Sequence, residues 1–110
     1  MFNSYSLAFG EPEGESSDVV SELVCELAGA FEYEKYHEES VRNKNLKAFT
    51  EVLGDFLPSM ELNDKAHILD GCFHFANENF YELEDDGIVD SSADCQDNFL
   101  SLVEEALKSI

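Results

Sequence analysis

The chain is 110 residues long, enough for one domain and too short for a second of ordinary size. Its 25 Asp and Glu against 6 Lys and Arg leave a formal charge of -19, which excludes nucleic acid and anionic membranes as direct partners because both would repel it. No stretch approaches the ~18 apolar residues of a membrane span, and Met1 to Gly10 lacks the basic residues and apolar run of a secretory signal.

Nine Phe, four Tyr and a hydrophobic fraction of 44% supply a core despite the charge, and they recur with helical spacing. In the first ten residues, Tyr5, Leu7 and Phe9 alternate with Ser6 and Ala8. With no other strand-like segment to pair with, this reads as an extended arm. Residues 10–17 form a loop by their Gly, Pro and Ser content. Ser17 or Asp18 then caps a helix with Val20, Leu23, Val24, Leu27 and Phe31 on one face, running to Glu34 or beyond. Asp18, Glu22 and Glu26 stand four apart on the other side.

Residues 36–47 hold His37, Arg42, Lys44 and Lys47, so half of the six cations fall within six residues. A second helix follows with Leu46, Phe49, Leu53, Phe56 and Leu57 inward, and Pro58 stops it. Asn63 caps a third carrying Leu69, Cys72, Phe73, Ala76 and Phe80. Residues 82–90 break the pattern as an acidic loop. Ser91 or Ser92 caps a last helix with Cys95, Phe99, Leu102, Val103 and Ala106 inward and Ile110 completing the stripe. The expectation is an all-α compact bundle of about four amphipathic helices with an extended N-terminal arm. It is a single domain over residues 1–110, with 1–16 as arm and loop.

Three cysteines without paired spacing, Cys25, Cys72 and Cys95, read as buried free thiols in a reducing compartment, which places the chain in the cytoplasm. Enzymatic chemistry finds no support. Glu22 and Glu26 would raise the Cys25 thiol pKa and suppress its thiolate. His37-Glu38-Glu39 has no nucleophile that can be set beside it, and no glycine-rich phosphate loop is present. His67 and His74, seven apart, are ~10 Å from each other along a helix, too far to share a metal without a third element; Asp70 and His74 suit an ion pair instead. Aligning Gly87 with the glycine of an EF-hand loop puts Glu82, Glu84, Asp86 and Asp90 at ligand positions. However, Ala93 stands where a bidentate Glu is required, so an acidic solvated turn explains the segment better. No catalytic residue, metal site or cofactor is assigned.

The carboxylates are the remaining signal. A charge this one-sided makes the compact state repel itself, and ordinary soluble surfaces mix both signs. Glu82, Glu84, Asp85, Asp86 and Asp90, extended by Asp94 and Asp97, form the densest patch. Asp18, Glu22 and Glu26 form a row with intervals of ~6 Å, close to the repeat of phosphates along a DNA strand. Tyr33, Tyr36, Phe80 and Tyr81 are aromatic anchors beside acidic residues, although core packing suits Phe80 better than the tyrosines. The expected contact set is Tyr81 with the five patch carboxylates, then Asp18, Glu22, Glu26 and Tyr33. The partner is a basic protein, such as a toxin or nuclease domain, met by a monomer or small homo-oligomer.

In size, charge and the segments Phe31-Glu32-Tyr33-Glu34 and Phe80-Tyr81-Glu82, the chain resembles small acidic bacterial immunity proteins of contact-dependent inhibition systems and nuclease bacteriocins. The resemblance implies a cytoplasmic, non-enzymatic inhibitor that binds and blocks a cognate toxin domain, and it assigns no site residue by motif. The alternative is a phage DNA mimic of the anti-restriction or anti-CRISPR kind, which spreads its carboxylates along an extended face. The cations Arg42, Lys44 and Lys47 interrupt such a face. A chaperone for a secreted basic protein is a third class and would present a large apolar groove.

Overall fold

Ser17 opens the first helix: its backbone is extended and its Oγ accepts the N–H of Val20 at 3.4 Å. From there the computed structural model, which describes residues 14–110, runs through α1 (Asp18–Ala30), α2 (Glu39–Phe56) and one 3-10 turn (Leu57–Ser59). It continues through α3 (Leu62–Asn79), the short α4 (Tyr81–Asp85) and α5 (Ser92–Lys108). α1 packs on α2 and α3, and α5 packs on the same two. The four long helices therefore form an all-α bundle in the cyclic order α1, α2, α5, α3, with α4 bridging α3 and α5.

The stripes face inward as their spacing demands, except that Leu57, expected inward, falls in the 3-10 turn after α2 and is exposed. Val20, Leu23, Val24 and Leu27 of α1 are buried against Phe49 and Leu53 of α2, Leu69, Cys72 and Ala76 of α3, and Cys95, Phe99, Leu102, Val103 and Ala106 of α5. At one end of the bundle, three phenylalanines close the core around Phe99. Phe31 lies 5.1 Å from it, Phe80 5.3 Å and Phe49 5.6 Å, centroid to centroid, and the Phe49 contact is edge-to-face. Such aromatic pairs contribute about 0.5–1.5 kcal/mol each beyond the area they bury.

Several local expectations are corrected. α1 stops at Ala30 rather than reaching Glu34, because Glu32 gives its backbone N–H and C=O to the side chain of Asn45 instead of to another helical turn. α2 begins at Glu39, so Arg42, Lys44 and Lys47 lie on its first half rather than before it. α3 begins at Leu62, ahead of Asn63. Its start is held by Asp64, whose carboxylate accepts the Glu61 N–H at 2.9 Å. The segment expected as an acidic loop opens with a helical turn, Tyr81–Asp85. Cys25 is exposed, while Cys72 and Cys95 are buried. His67 is buried on α3. The extended arm falls, up to residue 13, outside the described residues.

Candidate functional site

Residues 31–38, between α1 and α2, form a ledge that is tied down at four points. Phe31 anchors its start by stacking on Phe80, with centroids 5.8 Å apart and ring planes within 7°. Asn45, 1% exposed on α2, accepts the Glu32 N–H at 2.9 Å and donates to the Glu32 carbonyl at 3.1 Å. Lys44 holds the same residue by its carboxylate at 2.6 Å. Tyr36 is buried and donates its hydroxyl to Asp94 Oδ2 on α5 at 2.6 Å, and His37 Nε2 lies 3.6 Å from that oxygen. Lys35 takes φ +56°, the left-handed region, which reverses the chain between Tyr33 and Tyr36.

The facing ridge follows from Gly87. α4 ends in a Schellman turn: Gly87 N–H bonds the Glu84 carbonyl, Ile88 N–H bonds the Leu83 carbonyl, and Gly87 takes φ +74°. The Val89 N–H also bonds the Leu83 carbonyl, which doubles the chain back so that Val89 is buried and Ile88 is left 40% exposed. The start of α5 is capped twice, by Ser91 Oγ accepting the Asp94 N–H and by Glu84 Oε1 accepting the Ser92 N–H at 2.7 Å.

The two aromatic–acidic segments singled out in the sequence therefore meet. Their phenylalanines stack inside, and Tyr33 and Tyr81 remain 37% and 49% exposed outside. Tyr33, Ile88 and Asp90 line one shallow hollow of about 220 Å³ with Lys35, Tyr36, His37 and Val89. Glu82, Asp85 and Asp86 stand exposed on α4 and its cap, and Tyr81 turns its hydroxyl toward the Glu82 carboxylate, 3.4 Å away. Glu84 is exposed too, but one of its oxygens serves α5. Asp18, Glu22 and Glu26 are exposed on α1, a helix whose packing partners are α2 and α3 rather than α4. Asp18, at the start of α1, is separated from the α4 end by most of that helix, ~18 Å of rise.

Charge is distributed unevenly over this surface. Arg42 pairs with Glu105 at 2.9 Å, Lys44 with Glu32 and Lys108 with Glu104, so cations on α2 and α5 neutralise their own surroundings. None of the ion pairs among the described residues reaches Glu82, Glu84, Asp85, Asp86 or Asp90. Tyr36, by contrast, is no free anchor, since its ring is buried and its hydroxyl is engaged.

The remaining constellations resolve locally. Asp70 and His74 pair at 3.5 Å, as their spacing requires. Among the described residues no three His, Cys, Asp or Glu side chains gather as a metal ion would need, and no helix is long and apolar enough to cross a membrane. Burial pushes the Cys95 thiol up to about 12, with Asp94 adding to the effect, and raises Cys72 further still, so neither is a thiolate at neutral pH.

Two contributors escaped the sequence reading. Asn45 is an amide four residues before Phe49 on the buried stripe of α2, and a small amide on an apolar stripe was the available signal. Ile88 follows Gly87 in an acidic run, where the glycine marks a helix stop. Comparison of the chain with known protein families, with curated proteins and with solved structures returned no match.

Proposed function

We propose that this chain is a non-enzymatic acidic inhibitor that docks on a basic protein, in the manner of an immunity protein neutralising a nucleic-acid-directed toxin or nuclease in the cytoplasm. The observation that carries this reading is the convergence at one end of the bundle. Exposed Tyr33, Tyr81 and Ile88 sit beside carboxylates that no cation of the described chain pairs with. Unpaired carboxylates steer a cationic surface into encounter, with association rates up to ~10⁸–10⁹ M⁻¹s⁻¹ at low salt. Exposed aromatics supply the desolvated anchors that charge alone does not. The ledge and ridge beneath them are held by internal hydrogen bonds, so little ordering is required on binding.

The test is native co-purification at low ionic strength with the wild-type chain and with a Glu82→Gln, Asp85→Asn, Asp86→Asn, Asp90→Asn variant that spares Glu84 and its cap. The expected result is a basic protein retained by the wild type, lost with the variant, whose own activity falls when the chain is added back. A retained partner indifferent to the four changes, or one whose activity is untouched, would overturn the proposal.

The DNA-mimic reading rests on one further observation, the exposed row Asp18, Glu22 and Glu26 on α1. It predicts that neutralising this row, rather than the α4 end, abolishes binding to a DNA-binding partner.

A further inference from the structure

We propose that the hollow between the ledge and the turn after α4 receives one arginine side chain of the basic partner; this rests on the reading that this end of the bundle meets such a protein. The hollow's chemistry is asymmetric. Tyr33 and Ile88 give it an apolar, part-aromatic wall, and Asp90 lines it with a carboxylate that forms no ion pair among the described residues. Its volume of about 220 Å³ admits one long side chain and no folded element.

A guanidinium fits these walls better than an ammonium. It is planar, stacks on a phenol ring, sheds water more readily and presents a fork of N–H donors to a carboxylate. A lysine ammonium is a strongly hydrated point charge that gains little from an apolar wall. The floor is preformed, because Tyr36 is bonded to Asp94 and Val89 is buried by the Schellman turn. Lys35 opposes the guest: it borders the same hollow, and its charge repels an incoming cation. Asp90 and Lys35 therefore act with opposite sign on the same ligand.

The experiment is a titration of the isotope-labelled full chain with hexa-arginine and, separately, hexa-lysine at low ionic strength, followed by amide shifts. Hexa-arginine is expected to move the Tyr33, Ile88 and Asp90 signals and to bind about three- to fivefold tighter than hexa-lysine, the scale of an exposed cation–π contact. Tyr33→Leu and Asp90→Asn should each erase that preference. Lys35→Gln should tighten hexa-arginine by about twofold, the worth of one exposed charge contact. Equal affinities, with shifts spread over α4 and absent from Tyr33 and Ile88, overturn the arginine site but leave the acidic docking end standing. If neither peptide moves any signal of α4 or the ledge, both proposals fall.

Discussion

The side-chain amide of Asn45 occupies both backbone hydrogen-bonding groups of Glu32, thirteen residues earlier, at 2.9 and 3.1 Å. Donor meets carbonyl and acceptor meets N–H, so a buried amide takes the place of a further helical turn directly after Phe31, whose backbone is extended. The end of α1, the course of the ledge and the place of Tyr33 all follow from that bond pair.

Replacing Asn45 should show its weight. Asn45→Ala leaves two backbone groups without their partner and opens a small void, and is expected to cost about 2–4 kcal/mol in urea unfolding. Asn45→Asp keeps the acceptor for the Glu32 N–H but sets a carboxylate against the Glu32 carbonyl. Its loss should be at least as large at pH 7 and should shrink near pH 5, where the protonated carboxyl can donate again. A flat pH response would show that the donor half of the pair is unimportant.

Alkaline stability offers a second check. Cys95 is pushed up to about 12, Cys72 is raised more by burial, and the Tyr36 phenol is raised first by burial and then by the hydrogen bond to Asp94. The folded state therefore retains protons that the unfolded chain releases, the thiols from pH ~8.5 and the phenol from pH ~10. Stability is complete below pH ~8.5 and declines above it, each retained proton steepening the loss by up to ~1.4 kcal/mol per pH unit. Urea melts under reductant at rising pH should show that decline, and Tyr36→Phe should flatten the part of it above pH ~10.

Two glycine replacements should differ in sign. Gly54 lies within α2 with open space where a Cβ would go, so Gly54→Ala is expected to stabilise by about 0.5–1 kcal/mol through reduced chain entropy and better helix propensity. Gly87 has the same open space but a φ of +74°, so Gly87→Ala is expected to destabilise by about 1–2 kcal/mol. Thermal melts of the two variants separate backbone conformation from packing, since neither site is crowded.

Salt should stabilise the isolated chain. With a formal charge of -19 and only a few ion pairs among the described residues to offset it, screening relieves more repulsion than it removes attraction. The melting temperature should rise between ~0.01 M and ~0.15 M NaCl, over which the Debye length shrinks from ~30 Å to ~8 Å. In the same range, association with the basic partner proposed above should slow.

The helices were readable because a 3.6-residue period leaves a visible stripe. Val20 to Phe31 and Cys95 to Ala106 announced their inward faces, and the Ser17 and Ser91 caps announced two starts. Their limits were less visible wherever a side chain outside the expected cap intervened. Asn45 ends α1 early, and Asp64 sets the start of α3 one residue ahead of Asn63. The exposure of Tyr33 and Tyr81 was legible because both stand beside acidic residues. The anchoring of Tyr36 was not, because its partner Asp94 lies 58 residues away.

Composition, charge and periodicity are sums over the chain or relations between near neighbours, so the acidic character, the helical class and the inward stripes were set by the order of residues alone. The meeting of Phe31 with Phe80, and with it the hollow shared by Tyr33, Ile88 and Asp90, required the bundle to close. Which side chains touch across the molecule is decided by packing, through contacts between residues some fifty positions apart that no local pattern records.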